Sequence, residues 1–482
     1  MHSVKTGQES KLSKPNIVLM VADDMGYGDF GLYSEGRVHT PSIDQLATES
    51  LRLTQHYAGS AVCSPSRAAL LTGRYPIRTG AITPQEVLGY DRIDLSEATI
   101  GDSFKAAGYA TGMVGKWHNG ALDPRFHPNS RGFDDFAGFR GGWADYYRWN
   151  LDRNGSFEKS DGRYLTDVLA DEAVTFIQRH RNEPFFLMVT WNAPHSPLQA
   201  PEKVTQKYVD AGFELGIAII YAMIEVMDQG IGKVRQALDS AGIADDTLLM
   251  FTSDNGPAFT HRSDQVPDGV SVDGRRFNCG FAGAKASVYE GGIRVPMIAR
   301  WPNGLPQDLE IDKQIVFTDW LPTLMSLAKI NHAGNKPLDG IDMSEILMGE
   351  PQHNAPRRFW QWNGYSPIGT TNAAVREGSW KLVRPALDVS YATEADQTLA
   401  DRYIEKDIEY KYHPENFSQV FDWPEPEQIV TKAPKPELYN IDNDPLEQHD
   451  LAAQNPDIAL KLLRNLETWF EEVESERQSL VK

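Results

Sequence analysis

Asn16-Ile17-Val18-Leu19-Met20-Val21-Ala22-Asp23-Asp24 is the stretch that decides the fold class. A continuous apolar run of this length, without polar alternation, reads as a strand buried on both faces, which is how parallel strands of α/β sheets are written. The two carboxylates then fall at the C-terminal end of that strand, where open α/β sheets place their ligand sites. Adjacent acids there repel each other unless a cation sits between them, and hard oxygen donors suit Ca²⁺ or Mg²⁺ better than zinc. The same Asp-Asp pair could instead cap a turn, a position both residues favour.

The pattern recurs. Thr247-Leu248-Leu249-Met250-Phe251-Thr252-Ser253-Asp254-Asn255-Gly256 is a second apolar run ending in a carboxylate, an amide oxygen and a glycine that permits a sharp turn. A hairpin at Asn255-Gly256 is the competing reading, and the helix-like spacing that precedes the run opposes it. Strand-like and helix-like patterns alternate from Asn16 to about residue 350, with helix segments opening at Thr40-Pro41 and spanning Val316 to Leu327. The composition shifts at Gly349 to Pro356, a linker by its content. Beyond it, Phe359 to Trp362 and Ala374 to Val383 alternate like exposed strands, and a helix opens at Asn455-Pro456 with Ile458, Leu462, Leu466, Trp469 and Phe470 as its apolar stripe. The expected organisation is a polar tail over 1–14, an α/β domain over 15–350 and a small α+β domain over 356–482. The first domain carries a large mostly parallel or mixed sheet sandwiched by helices, and the second an antiparallel sheet plus a helix.

Between the two acidic strand ends in sequence lies Cys63-Ser64-Pro65-Ser66-Arg67, followed by Ala68 to Leu71. Ser64 as a cap, Pro65 and the helix formers after it put residue 63 at the N-terminal mouth of a helix, where unpaired N–H groups favour anions. Arg67, one turn on, faces the same side. Four more basic side chains sit at or near ends of strand-like runs: Lys116 and His118 in Gly115-Lys116-Trp117-His118, His195 in Ala193-Pro194-His195-Ser196-Pro197, and Lys285 ahead of Glu290-Gly291-Gly292.

Together these segments resemble type I sulfatases of the alkaline phosphatase superfamily. The resemblance implies that a maturation enzyme oxidises Cys63 to Cα-formylglycine, whose hydrate supplies the oxygen that attacks sulfur. It implies one divalent cation, Ca²⁺ in preference to Mg²⁺, on Asp23, Asp24, Asp254, Asn255 and an oxygen of modified Cys63. Arg67, Lys116 and Lys285 would neutralise the sulfate, and His195 and Lys285 would serve the leaving oxygen. His118 would take the proton whose removal expels sulfate and regenerates the aldehyde. The chain departs from the family at Ser287-Val288-Tyr289-Glu290, where Thr-Thr-Trp-Glu is common, and detail around Lys285 follows the family less closely there.

Composition sets limits. At 482 residues, 41% hydrophobic and 24% charged, the chain is globular, and its net charge of −20 opposes nucleic-acid binding. It also forbids long-range attraction of an anion, so any capture of sulfate must be local. Only Cys63 and Cys279 are present, so there is no disulfide framework; a bridge between them would abolish maturation, and Cys279 is expected free. No apolar run approaches the ~20 residues of a membrane helix, and Met1 to Lys14 lacks the core of a signal peptide. A periplasmic or secreted location follows if a leader was removed, a cytoplasmic one if this is the whole natural chain; the oligomeric state stays open.

Substrate identity falls to the irregular segments. Arg140 to Asn150 holds Arg140, Trp143, Tyr146, Tyr147, Arg148 and Trp149, and Arg276 lies in a second such stretch. Aromatic faces stack on sugar rings and Arg forks bind sulfates or carboxylates, so a sulfated saccharide is the expected substrate, with Arg140, Trp143, Tyr146, Arg148 and Arg276 as its contacts. The same aromatics could simply pack the loop. The rival functions are a small aryl sulfate sulfatase, a phosphonate or phosphate monoester hydrolase of the same superfamily, and a non-catalytic sulfated-glycan-binding protein.

Overall fold

The computed structural model describes residues 14–350, 356–387 and 389–480. The tail expected over 1–14, up to residue 13, and most of the linker expected at Gly349 to Pro356 lie outside the described residues.

A ten-stranded mixed sheet forms the larger part. Its order is Glu310–Ile311, Leu51–Leu53, Met297–Arg300, Thr247–Ser253, Asn16–Ala22, Phe185–Thr190, Ala110–Lys116, Asp135–Phe139, Asn150–Arg153 and Ser156–Lys159. The five strands from Thr247–Ser253 to Asp135–Phe139 are mutually parallel, and antiparallel neighbours flank them on both sides. Asn16–Ala22 is central and buried throughout, as its apolar run requires. Val18, Met20 and Ala22 pack on one face with the Leu165–His180 and Leu215–Ala241 helices. Ile17, Leu19 and Val21 pack on the other with the Cys63–Thr72, Ile100–Ala106 and Trp320–Ala328 helices. This is the helix-sandwiched α/β sheet that the sequence leads one to expect.

Two local expectations are corrected. Ser64 does not cap the Cys63–Thr72 helix: Val62, in extended backbone, flanks its start, and the Ser64 hydroxyl donates to the Asp91 carbonyl at 3.3 Å. The first turn is fully buried, so neighbouring loops supply its polar partners. Among the described residues there is also one helix, Leu215–Ala241, long and apolar enough to cross a membrane by length and composition; 67% of its most apolar window is buried within the fold. Its apolar face is continuous because the Leu165–His180, Glu202–Asp210 and Pro41–Thr48 helices surround it.

A smaller antiparallel sheet follows, ordered Arg358–Gln361, Ala373–Glu377, Trp380–Arg384 and Glu437–Asn440. One face packs on the Pro456–Leu480 helix through Leu462, Leu466, Trp469 and Val473, with Phe359 stacked on Trp469 at 4.9 Å. The other packs on Tyr57, Ala61, Val288 and Ile293, so the small sheet braces the segments leading to Cys63 and away from Lys285. Between its last two strands the chain forms the Glu394–Tyr412 helix, which reaches back over the larger part.

Candidate active site

The ends of two adjacent parallel strands bring Asp23, Asp24 and Asp254 together. The backbone N–H of Asp254 donates to the Ala22 carbonyl at 3.1 Å, and that of Asp24 to Asp254 Oδ1 at 3.2 Å. Asp24 sits at φ 65°, a left-handed turn that short acidic residues tolerate. Gly256 lets the second strand end lie against Gly291, whose carbonyl a Cβ would meet at 1.9 Å.

Three carboxylates meet three cations there, all buried or nearly so. Lys116 Nζ lies 2.7 Å from Asp23 Oδ2, Arg67 Nη2 lies 2.8 Å from Asp254 Oδ2, and Lys285 Nζ lies 2.6 Å from Asp24 Oδ1. Arg67 also donates to the Lys116 carbonyl at 3.1 Å, which ties the helix to the strand end. The chain's own charges therefore balance, so an added divalent cation would make the site positive and ready for an anion.

At the two strand ends, Asp23 Oδ1 and Asn255 Oδ1 are buried without a hydrogen-bond partner among the described residues. Orphaned buried acceptors are costly, and a cation is what such a pair of hard oxygens can hold. Donor atoms of Asp23, Asp24 and His195 lie within 4.8 Å of one another, so His195 joins the acids at the site. Burial pushes the Asp23 carboxyl up against the pull of Lys116. Burial works the same way on Asp24, but Lys285 and His195 outweigh it and hold that carboxyl well below the usual range. On Lys285 burial favours the neutral amine, and Asp24 more than offsets it, so the ammonium is retained.

Cys63 begins its helix, is buried, and lines a cavity of about 350 Å³ with Asp24, His118, His195 and Lys285. Both cysteines are free, and burial raises the Cys63 thiol despite Lys116 and Lys285. Unmodified, residue 63 would be a neutral thiol and a poor nucleophile.

The two histidines present opposite arrangements. His195 Nδ1 lies 2.6 Å from the Ser196 carbonyl and therefore carries the proton, leaving Nε2 facing Asp24 Oδ2 at 3.6 Å. His118 Nε2 lies 3.3 Å from the Pro84 carbonyl and 3.4 Å from Glu86 Oε1, which puts the proton on Nε2 and leaves buried Nδ1 without a partner. Burial, then Lys285, lowers His195 well below the ordinary histidine value; burial, then Lys116 and Lys411, does the same to His118. Both rings are neutral near pH 7, and His118 offers a free lone pair.

Of the residues expected to contact substrate, Trp143 lines the cavity, its indole N–H donating to Asp407 at 3.2 Å. The other four are placed elsewhere. Arg140 is buried against Asp152 at 3.1 Å, and its backbone carbonyl receives the His118 N–H. Tyr146 is fully buried, its hydroxyl reaching the Asn192 and His195 carbonyls at 2.8 and 2.9 Å. Arg148 is exposed, paired with Asp145 and stacked on Tyr412. Arg276 grips Asp29 at 2.8 Å and donates to the Asp24 carbonyl at 3.0 Å, so it fixes the Asp24 turn. Tyr146 and Arg276 thus support residues of the site from behind. Sequence reasoning missed the other walls, which include Glu86, His261, Arg262 and Gln265 from loops and Tyr403, Ile404 and Asp407 from the Glu394–Tyr412 helix. Thr393, whose hydroxyl accepts from the Asp396 N–H, was the available signal for that helix start.

Known proteins share this architecture. The family model described as Sulfatase matches residues 15–330. N-acetylgalactosamine-6-sulfatase of Canis lupus familiaris is 33% identical over 402 residues, 76% of this chain and 71% of that protein. Steryl-sulfatase of Mus musculus is 32% identical over 426 residues, 70% of this chain and 66% of that protein, so the aligned part is just under two thirds of its length. The crystal structure of Ps i-CgsB in complex with k-i-k-neocarrahexaose aligns with a TM-score of 0.76 at 29% identity, covering 95% of this chain and 93% of that one. With the acidic strand ends, the Cys63 helix mouth and the surrounding cations in the same fold, the chain belongs to the sulfatase family of the alkaline phosphatase superfamily, whose members named here are sulfuric ester hydrolases.

Proposed function

We propose that this protein hydrolyses a sulfate monoester on a saccharide, using Cα-formylglycine made from Cys63 by a maturation enzyme and one Ca²⁺ held by Asp23, Asp24, Asp254 and Asn255. The observation that carries the reading is the position of residue 63 at a buried helix N-terminus, opening into a cavity shared with Asp24, Lys285, His118 and His195. The orphaned oxygens of Asp23 and Asn255 support the cation. When bound, the cation and the matured residue would together supply an acidified hydroxyl and neutralise sulfate oxygens.

The remaining work falls to side chains. Lys285, held as ammonium by Asp24, can hydrogen-bond the ester oxygen and give it a proton as the alcohol departs. His195, with its proton on Nδ1, keeps Nε2 turned to Asp24 and orients the same region. His118 can take a proton at Nδ1 while Nε2–H stays anchored to Pro84. Arg67 and Lys116 pair with Asp254 and Asp23 and hold them in place. The saccharide is supported by the named carbohydrate substrate of the dog relative and the neocarrahexaose bound in the structural one.

Mass spectrometry of the peptide containing residue 63 tests the reading: a loss of about 18 Da relative to cysteine is expected. An unmodified thiol in fully active protein refutes it. Side-by-side turnover of sulfate and phosphate esters separates it from a phosphate or phosphonate monoester hydrolase.

A further inference from the structure

The cavity has a second side that the family motifs do not touch. The Glu394–Tyr412 helix presents Tyr403, Ile404 and Asp407 to it, and the loops add Glu86, Trp143 and Arg262. Away from Asp24 and Lys285, the charged side chains lining this side, among the described residues, are Glu86, Arg262 and Asp407. Arg262 is occupied by a two-pronged bond to Asp264 at 3.0 and 2.7 Å. Glu86 and Asp407 share one buried cation, Lys411, which pairs with Glu86 Oε1 and lies 2.9 Å from Asp407 Oδ1. Burial pushes His118, His195 and His261 toward their neutral forms, His261 to about 4. No free positive charge faces this side among the described residues; burial pushes the Glu86 carboxyl up to about 7, and Glu86 and Asp407 compete for the one cation they share.

Asp407 is also set to receive a donor. Its oxygens accept from Lys411 and, at 3.2 Å, from the Trp143 indole, which leaves lone pairs of a fixed, partly exposed carboxylate open toward the cavity. A hydroxyl can use them. A sulfate or carboxylate on the same ring would meet like charge in a partly desolvated wall, where interactions are strong.

We propose that Asp407 is a specificity-determining residue that makes this side a subsite for an uncharged alcohol, so that the leaving group is a neutral, hydroxyl-bearing ring and a second anionic substituent on that ring is rejected. This rests on the sulfate-ester reading of the site.

The test compares two aryl sulfates that differ in one charge, 4-carbamoylphenyl sulfate and 4-carboxyphenyl sulfate, in wild-type, Asp407→Asn and Asp407→Glu proteins. Dividing the kcat/KM ratio of each variant by that of the wild type cancels the intrinsic reactivity of the esters. The wild type should favour the amide at least tenfold, Asp407→Asn should bring the ratio to within about threefold, and Asp407→Glu should keep it. Should Asp407→Asn fail to fold, judged by its thermal midpoint, Asp407→Ser takes its place in the same quotient. Equal turnover of both esters by the wild type, or an unchanged ratio in folded Asp407→Asn, overturns the proposal. A wild type inactive on both esters but active on a sulfated sugar overturns the proposal alone, and one inactive on all of them overturns it together with the sulfate-ester reading. If only the saccharide part of that reading is wrong, sulfated sugars fail while the amide preference stands.

Discussion

The two sides of the cavity are held by different means. On one, Asp23, Asp24 and Asp254 hang from the ends of neighbouring parallel strands, and Lys116, Lys285 and Arg67 neutralise them in pairs. On the other, Glu86 and Trp143 come from loops and Asp407 and Lys411 from a helix of the C-terminal part, with Lys411 and Glu86 325 residues apart in the chain. Strand ends are fixed by the sheet's register, so the first side tolerates no displacement. The second depends on long-range docking, which is where variation in the alcohol can be accommodated without disturbing the anion site.

The sharpest way to break this contrast is at residue 63. Cys63→Ser keeps size and polarity and, made in a host whose maturation enzyme oxidises cysteine, carries no aldehyde. Turnover should fall by at least ~10³-fold, roughly 4 kcal/mol, with the thermal midpoint unchanged. Appreciable multiple turnover would remove the formylglycine reading.

Asp254→Ala comes next, because it strikes both charge balance and cation binding. It leaves the Arg67 guanidinium buried without its closest carboxylate, and breaking a buried pair this way costs about 3–5 kcal/mol. Elemental analysis should find the bound metal lost and calorimetry a lowered unfolding temperature. Full metal content in the variant would mean that Asp254 serves Arg67 alone.

The same contrast explains what could be read from sequence. Asn16–Ala22 and Thr247–Ser253 are legible because strands buried on both faces need unbroken apolar runs, and the acids closing them are what repetition makes conspicuous. Cys63 and Arg67 were legible from a local helix start, although the start lies two residues earlier than Ser64 as a cap would place it. The Glu394–Tyr412 helix was not legible as a wall. Its buried residues are few, Ala400, Tyr403, Tyr410 and Lys411, and they make no wide apolar stripe. Tyr146 and Arg276 have the chemistry of saccharide contacts, yet which way each faces depends on Asn192, His195 and Asp29, partners distant in sequence. Residue type alone cannot tell a binding arginine from a supporting one.

Lys411 joins the two sides, and pH reports on the joint. It is among the cations that, after burial, keep His118 below the ordinary histidine value. As a base, His118 stays competent until pH falls through that lowered value, so the acid limb of the kcat profile should lie below pH 6.5. The unfolded chain binds that proton at higher pH, so the stability this ring contributes is present above its unfolded value and declines as pH falls toward the folded one. Lys411→Met removes a positive neighbour and leaves Glu86 unpaired 3.4 Å from Nε2, so the limb should move to higher pH. A limb that stays put or moves lower would uncouple the C-terminal helix from His118.

The smallest effects should come from the aromatic loop, and they separate its two arginine- and tryptophan-bearing ends. Arg148 has a side chain 74% exposed and rests on Tyr412 outside the cavity, so Arg148→Ala should change stability by no more than about 0.5 kcal/mol and turnover by less than about twofold on any sulfate ester. Trp143→Phe is the informative partner. It keeps a ring against the cavity and removes the N–H that holds Asp407 Oδ2, avoiding the cavity that truncation to alanine would open in a site only 8% exposed. A loosened Asp407 should weaken turnover of a sulfated sugar about threefold to tenfold, the worth of one ordinary hydrogen bond, since the Lys411 contact to Asp407 remains, while a small aryl sulfate is nearly unaffected. Equal losses on both esters would make Trp143 a packing residue. A loss at Arg148 matching that at Trp143 would mean the loop engages substrate beyond the cavity wall and erase the boundary drawn between its two ends.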